Sequence, residues 1–542
     1  MTDVLVVNAQ IWSGKIGGDF SWMRYNPSSG YITEVGRGAP PPKETATKVK
    51  DFHGKRIFPG FHESHLHLGH LGNLLCSLDL HGCNSIEKLQ TKLQDYMAKN
   101  PSGWVVGNNW EQDVLGRYPT KEDLDAVSGD RPVFLHRVCH HIGIGNSKAL
   151  QLAGVGKDTP DPDGGAVDRY PSEHPKAGEP TGILRENACK AIRELTRPNS
   201  AQVTEHLGIA LAQCIRNGVT SAHSCEVQSW NEFKSLVDSS RLPIRIFYSA
   251  FYDSKDSGNF PKAGEKHGDL LSCDRIKLFS DGALGVGTAF LSQPYRGRAE
   301  RGIPLHTEEE LLRLVKEATA SGYRLEVHAI GDAAAEMVIE AMEKADVTPE
   351  KRPILTHCQI LRKELIPRMK SLGMIANIQP QFVPTDARWV DRFLPDGLMD
   401  CIYPWKTLTD AGIMCAGGSD APVEHATPLQ GIYDAIFRPS GRDEEGNRIP
   451  FKSVIYISFK SEDNTGADFR SDEKLSVTEA IDLYTKNGAY ATLEEHRLGQ
   501  IRPGYFADFV VIDSEKDVVD FPEYFQKATV ADVYVAGQPK FS

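Results

Sequence analysis

Short apolar runs alternate with helix-like stretches through the middle of this chain, and this alternation limits the possible folds more than any other feature. The apolar runs fit eight strands, near residues 57–64, 219–223, 244–251, 275–280, 324–328, 353–357, 374–379 and 413–418. Helical stretches such as Glu308 to Gly322 and Asp332 to Ala345 separate several of them, and several end in Gly, as helices commonly do. Strands that alternate with helices run parallel, so the sequence predicts an α/β fold built on a TIM-like (β/α)8 barrel.

A His-x-His pair, His65 and His67, follows the first apolar run. Because side chains alternate between the faces of a strand, this spacing points both imidazoles the same way. Barrel enzymes build their sites at the carboxyl ends of the strands, so the pair is a candidate metal site. The bare pattern also occurs among surface and hydrogen-bonded histidines, and further ligands are needed to support a metal.

Further candidate ligands stand in or directly after other apolar runs. Lys277 lies inside a hydrophobic run, and a lysine is almost never buried without a reason. His328 and His357 are each the last residue of an apolar run, and Asp420 follows a short stretch of small residues. Taken singly, each also fits an ordinary structural role, such as a core histidine, a snorkelling lysine or a capping aspartate. Together with the histidine pair they fall on strands one, four, five, six and eight, whose ends meet at one barrel mouth.

The order of these residues resembles the metal-dependent amidohydrolase superfamily. The segment Pro59 to His67 is similar to that superfamily's Pro-Gly-Phe to His-x-His signature, with His62 and Glu63 where Ile and Asp are commoner. Sequence words similar to the amidohydrolase family 3 branch, which includes N-substituted formamide deformylase-like proteins, begin at Asp130, Asn146, Gly182, Lys277, His328, Gln379 and Gly418. The resemblance runs from about residue 4 to residue 538.

The resemblance implies a metal centre. His65 and His67 with Asp420 would hold one divalent ion, and His328 with His357 a second. Neutral imidazoles and a carboxylate suit zinc, although manganese, iron or cobalt could use the same ligands. In resembling enzymes the lysine of strand four is carboxylated and bridges two ions. An unmodified lysine would favour a mononuclear site, so both one and two ions stay open.

The reaction implied by this centre is hydrolysis of an amide, N-formyl or N-acyl compound. A bound water whose pKa falls towards ~7 would supply the hydroxide, and Asp420 would pass its proton to the departing amine. A mononuclear deaminase is one alternative, although such enzymes usually carry a Glu three residues beyond the strand-five histidine, where this chain has Gly331. A non-catalytic binding or scaffold protein is the other.

Several polar residues have less defined roles. Asp281 and Asp332 could orient metal ligands, or they could serve as loop or capping aspartates. His140 and His141 could face the substrate or lie on a lid or the surface, and His223 could line the pocket. Five more residues could contact substrate or serve only the core, namely Trp110, Glu186, Gln379, Arg388 and Trp389.

Both ends of the chain carry short strands punctuated by turns, and residues 1–56 and 498–542 are predicted to form one β-sandwich. Residues 57–497 would contain the barrel, with a large insertion at 77–215 after the first barrel strand that could cap the mouth. The segment 439–472 is rich in Gly and charged residues and is a second candidate cover or an exposed excursion.

Composition and charge limit the binding partners and the cellular compartment that we expect for this chain. The net charge of −12 gives no basic footprint for nucleic acid or an anionic membrane. The amino terminus lacks a secretory signal, and no apolar run reaches the ~18 residues of a membrane span. The ten cysteines form no Cys-x-x-Cys pair and fit reduced, mostly buried thiols. We expect a cytoplasmic enzyme that acts on a small molecule, and the resemblance adds the expectation of a homodimer.

Overall fold

The computed structural model describes residues 3–139, 141–227, 229–256, 258–440, 469–514 and 524–540. The chain forms two compact units, one that combines Met1–Leu68 with Leu211–Ser542 and one that spans Gly69–Ala210. Most of the segment 439–472, a candidate cover in the sequence, lies outside the described residues. The sequence-based limits of sandwich, barrel and insertion stay a prediction.

Eight parallel strands form the central sheet of the first unit. In chain order they are β1 (Phe61–Leu66), β2 (Val219–Glu226), β3 (Arg245–Phe251), β4 (Leu271–Phe279), β5 (Arg324–Ala329), β6 (Ile354–His357), β7 (Ile375–Ile378) and β8 (Met414–Gly417). Hydrogen bonds join each strand to the next from β1 to β8. Beyond β8, the Asp420 amide donates to the His65 carbonyl oxygen over 2.8 Å, which brings the last strand back to the first. The predicted (β/α)8 barrel is confirmed.

Helices carry the chain between the strands. The helix Glu308–Ala320 begins with a capping box, in which Thr307 and Glu310 each accept the other's backbone N–H. Ser200–Arg216 leads into β2. Among the described residues, the other helices of the first unit are Trp230–Asp238, Asp332–Lys344, Ile366–Ser371, Phe382–Asp386, Val390–Phe393, Trp405–Asp410, Pro428–Phe437, Val477–Leu483, Lys486–Ala491 and Tyr524–Lys527. Within the described residues, no helix combines the length and the apolar character needed to cross a membrane.

The two chain ends build a β-sandwich, as predicted. One sheet has the strand order Tyr31–Gly36, Trp22–Asn26, Val4–Val7 and Lys48–Asp51, and the other has Gln10–Ile11, Arg56–Pro59, Phe509–Asp513, Thr529–Val535 and Gln538–Pro539. Side chains of both sheets share one apolar cluster, where Val6 and Met23 of the first sheet meet Phe509 of the second. Burial of this apolar area stabilises the pair of sheets.

The first barrel strand differs from the single strand predicted near 57–64. Arg56–Pro59 belongs to the sandwich, and the chain enters β1 directly after Gly60. The Gly60 N–H donates to the Asp508 carbonyl oxygen over 2.9 Å, and a Cβ at this position would lie only 2.2 Å from Thr220 Oγ1. This close approach excludes a side chain. The Pro-Gly pair therefore marks a change of sheet, because one strand ends at Pro59 in the sandwich and β1 begins at Phe61 in the barrel.

The second unit holds a six-stranded sheet. Its strand order is Gly165–Arg169, Pro180–Glu186, Ile142–Gly145, Val133–Arg137, Val105–Trp110 and Leu78–Asp79. Its helices are Ile86–Lys99, Gln112–Leu115, Lys121–Ser128, Ser147–Leu152 and Lys190–Leu195, and Leu68–Leu75 leads into it. Trp110 is fully buried among the apolar residues of this unit and donates its indole N–H to the Leu135 carbonyl oxygen over 2.8 Å. Trp110 therefore has a core role and not the substrate contact considered for it.

Candidate metal centre

The predicted metal ligands lie at the carboxyl ends of the barrel strands. His65 is on β1, and His67 directly follows the last residue of that strand. Lys277, His328 and His357 lie near the ends of β4, β5 and β6. Asp420 follows β8. Parallel strands of a closed barrel point these ends at the same mouth, so residues far apart in sequence become neighbours.

Asp420 is the residue at which the His-x-His pair converges. Its Oδ1 lies 3.1 Å from His67 Nε2 and 3.4 Å from His65 Nε2. Burial alone would raise the pKa of Asp420, but its contacts with the two histidines outweigh burial and hold the pKa well below its usual range. Asp420 also has a φ of 57°, in the left-handed region that residues other than glycine seldom adopt. Backbone strain of this kind clusters at functional sites.

His357 completes a set of three converging donors. Ligand atoms of His65, His357 and Asp420 all lie within 4.8 Å of one another. Burial, followed by the nearby His328, lowers the pKa of His357 well below its ordinary value, so the ring stays neutral and keeps a lone pair. Its Nδ1 lies 2.9 Å from Gln379 Oε1, an acceptor, which leaves Nε2 for an ion. The donor set fits a divalent metal of the zinc type.

His328 lies beside His357, with ring centroids 4.5 Å apart. Its Nε2 is 2.9 Å from the Gly282 carbonyl oxygen and 3.3 Å from Asp281 Oδ1, so Nδ1 is the nitrogen left for an ion. Asp281 also accepts two backbone N–H groups of the loop after β5, which agrees with the ligand-orienting role considered for it. Asp332 begins the following helix and pairs with Arg362 at 2.9 Å, away from the ligands in its described contacts.

Lys277 is buried, with 1% of its surface exposed. Its Nζ lies 3.5 Å from His65 Nε2, the nitrogen that approaches Asp420, and 3.6 Å from Glu326 Oε1. The lysine therefore reaches the same group of donors as the histidines. Every predicted ligand belongs to one cluster in the structure.

Sequence reasoning missed Glu326, which stands two residues before His328 on β5. It is fully buried, and its Oε1 lies 2.7 Å from His65 Nδ1. Burial would raise the pKa of Glu326, but the charge of Lys277 and the hydrogen bond from His65 hold it well below the usual range. Cys225 on β2 was missed as well, and its Sγ lies 3.3 Å from Glu326 Oε1. Strand alternation was the available signal, because residues two apart share a face.

Two other candidates support the centre or the barrel without facing a pocket. His223 is fully buried in the barrel interior, where its Nδ1 lies 2.6 Å from an Arg275 guanidinium nitrogen. The expectation that it lines the pocket is therefore wrong. Gln379, considered for substrate contact, is buried and holds His357 as described above.

The remaining candidates lie elsewhere. His141 is exposed in the second unit and pairs with Glu186, with Nδ1 and Oε2 2.9 Å apart. Its neighbour His140 lies outside the described residues. Arg388 is exposed and Trp389 is half-buried, and a substrate contact of either residue stays a prediction.

A sequence profile of the amidohydrolase family matches residues 48–541. The chain belongs to the amidohydrolase family. The Bacillus subtilis protein YtcJ, which is named as an amidohydrolase, is 33% identical over 91% of this chain and 90% of its own length. N-substituted formamide deformylase of Arthrobacter pascens is 24% identical over 96% of this chain and 94% of its own. An uncharacterised metal-dependent hydrolase of Pyrococcus furiosus superposes with a TM-score of 0.75 at 26% identity, over 96% of this chain and 100% of its own.

Membership in the amidohydrolase family establishes a hydrolase on a TIM-like barrel, and it weighs against a non-catalytic scaffold. The structure also bears on the deaminase alternative. A Cβ at Gly331 would lie 1.9 Å from the Phe290 carbonyl oxygen. No side chain fits there, and the Glu that mononuclear deaminases usually carry at this position is excluded by the backbone.

Proposed function

We propose that this amidohydrolase cleaves a carbon–nitrogen bond of an amide, N-formyl or N-acyl compound, with Asp420 as acid and base. The observation that carries the proposal is the convergence of His65 Nε2 and His67 Nε2 on Asp420 Oδ1, at 3.4 and 3.1 Å. A relative that covers nearly the whole chain is named for the deformylation of N-substituted formamides, which supports the choice of bond.

The proposed cofactor is zinc, as one or two ions. The donors are the imidazoles of His65, His67, His328 and His357 and the carboxylate of Asp420. A bound ion of this kind lowers the pKa of a coordinated water and polarises a carbonyl group. Lys277 fits the centre as a carboxylated side chain, because a carbamate attracts cations whereas an ammonium group repels them. In that form it would bridge two ions.

In the proposed mechanism Asp420 would move one proton through the reaction. Its carboxylate is ionised, since its histidine partners hold the pKa low. It would accept the proton of the water that attacks the substrate carbonyl carbon. The same proton would pass to the nitrogen as the C–N bond breaks, so that the amine leaves neutral and the acid product keeps the water oxygen.

The first test combines metal content with turnover on the full chain. Protein purified without chelator should contain one or two equivalents of zinc, and it should hydrolyse members of a panel of N-formyl and N-acyl amines. Chelation should abolish turnover, and added zinc should restore it. Protein that takes up no metal, or loaded protein that cleaves esters but no amide of matched structure, would contradict the proposal.

The cellular setting is also proposed. We propose a cytoplasmic homodimer that acts on a small molecule and binds neither nucleic acid nor membrane. The net charge of −12 and the absence of disulfides among all ten cysteines support a reducing compartment and a non-nucleic-acid substrate. Light scattering of the purified protein tests the dimer.

A further inference from the structure

Glu326 receives donors from four other barrel strands. Its Oε1 lies 2.7 Å from His65 Nδ1 on β1, and within 3.3 to 3.6 Å of Cys225 Sγ on β2, Lys277 Nζ on β4 and Thr356 Oγ1 on β6. Among these contacts the His65 bond is much the shortest. The carboxylate is fully buried, so its position is fixed by the barrel and not by solvent.

The second carboxylate oxygen, Oε2, faces a fixed cation. Arg275 approaches it to 3.6 Å through a guanidinium nitrogen and is itself held by His223 Nδ1 at 2.6 Å and the Ala491 carbonyl oxygen at 3.2 Å. Oε2 accepts no hydrogen bond from any side chain of the described residues. A buried carboxylate is costly even when a cation faces it, so its presence in the barrel calls for a role other than stability.

We propose that Glu326 is a positioning residue for the metal centre, which fixes His65 with its proton on Nδ1 and directs Nε2 to the ion. A carboxylate accepts hydrogen bonds and has no proton to donate, so the 2.7 Å contact forms only when Nδ1 carries the proton. Nε2 is then the lone-pair nitrogen, and it is the atom that lies 3.4 Å from Asp420 Oδ1. The inference rests on the metal site of the proposed function but not on its substrate.

The test compares zinc affinity in two glutamate-to-glutamine variants of the full chain, measured by competition with a chelator. Glu326→Gln keeps the size of the side chain, but its amide can turn a donor towards Nδ1, and zinc should bind about 10- to 100-fold more weakly. Glu473→Gln is the matched control. Glu473 is also buried, and it accepts the Thr407 N–H over 2.9 Å, with no candidate ligand among its described contacts. Its zinc affinity should equal that of the wild type.

A spectroscopic measurement separates positioning from general destabilisation. Nitrogen-15 NMR of histidine-labelled, metal-free protein should show His65 protonated on Nδ1 in the wild type and in the Glu473→Gln control, and mixed protonation in Glu326→Gln. A second variant, Glu326→Asp, keeps the charge but draws the carboxylate back by about 1.5 Å. It should lose affinity as well, and it maintains the test if the glutamine variant does not fold.

The outcomes are distinct. A folded Glu326→Gln protein that binds zinc as tightly as the wild type and keeps the Nδ1 proton would overturn the positioning role alone. Wild-type protein that takes up no zinc would overturn the metal centre of the proposed function, and the positioning role with it. Weaker zinc binding in Glu326→Gln, together with unchanged zinc affinity in the Glu473→Gln control, supports the positioning role of Glu326.

Discussion

Gln379 Oε1 lies 2.9 Å from His357 Nδ1, and this contact is the first of a row of three hydrogen bonds. Gln379 Nε2 donates to Asn377 Oδ1 over 2.9 Å, and Asn377 Nδ2 donates to the Ser64 carbonyl oxygen over 2.6 Å. The row runs from the end of β6 across β7 to β1, next to His65. The orientation of one candidate ligand is thereby tied to the strand that carries another.

Replacing Gln379 with Leu should weaken metal binding. The change removes the acceptor of the His357 N–H and leaves that buried donor unpaired, at a cost of about 1–3 kcal/mol in unfolding free energy. Zinc affinity should fall about 10-fold or more. Gln381→Leu is the control, because buried Gln381 donates to the His425 carbonyl oxygen and contacts no candidate ligand in the described residues. Equal zinc affinity in the two variants would contradict the role of Gln379.

Asp420→Asn should retain the fold and much of the metal but lose turnover by about 100-fold or more, because an amide cannot carry the proton. Turnover should be measured at saturating substrate on protein of known zinc content. An Asn variant that keeps its zinc and hydrolyses at the wild-type rate would remove Asp420 from the acid–base role.

Lys277→Met should remove one ion if a carboxylated lysine bridges two. Methionine fills a similar volume, so the buried site is not left empty. Elemental analysis should show a drop from two zinc ions per chain to one. Lys406→Met is the control, since Lys406 pairs with Glu479 and lies on a helix that carries no candidate ligand. Unchanged zinc content in Lys277→Met would favour a mononuclear centre.

The buried carboxyl group of Asp386 should make the free energy of unfolding depend on pH. Burial raises its pKa to about 7, although the Tyr403 hydroxyl and Gln359 partly oppose this shift. The folded state therefore holds the proton more tightly than the unfolded state. The stabilisation that protonated Asp386 gives to the folded state is complete below about pH 4 and is lost as the pH rises to about 7. Asp386→Asn should gain about 1 kcal/mol or more over the wild type across this range.

Chemical unfolding at several pH values checks the Asp386 prediction. The difference in unfolding free energy between Asp386→Asn and wild type should grow from pH 4 to pH 7. Asp396 is exposed and pairs with Arg296, so Asp396→Asn should show no such trend. A difference that stays constant with pH would mean that Asp386 is not the titrating group.

The grouping of the candidate metal ligands could be predicted from sequence, because each stands in or directly after an apolar run, and the resemblance to amidohydrolases supplied their metal role. Glu326 also stands on such a run, but its partners His65 and Cys225 come from other strands, and the register between strands is set by packing across the whole barrel. Gln379 was missed as a partner of His357 for the same reason. The first barrel strand was predicted too long because the change of sheet at Gly60 depends on Thr220, a distant residue in sequence.

The passage from sandwich to barrel at Gly60 bears on how the protein is made. Arg56–Pro59 pairs with Phe509–Asp513, close to the other end of the chain. During synthesis on a ribosome, Arg56–Pro59 already has Gln10–Ile11 as a neighbour, but it must wait for almost the entire polypeptide before its second neighbour emerges. Contacts of such long sequence separation form late and slowly. A nascent chain would thus expose its histidines to cellular metal before the enclosing structure is complete.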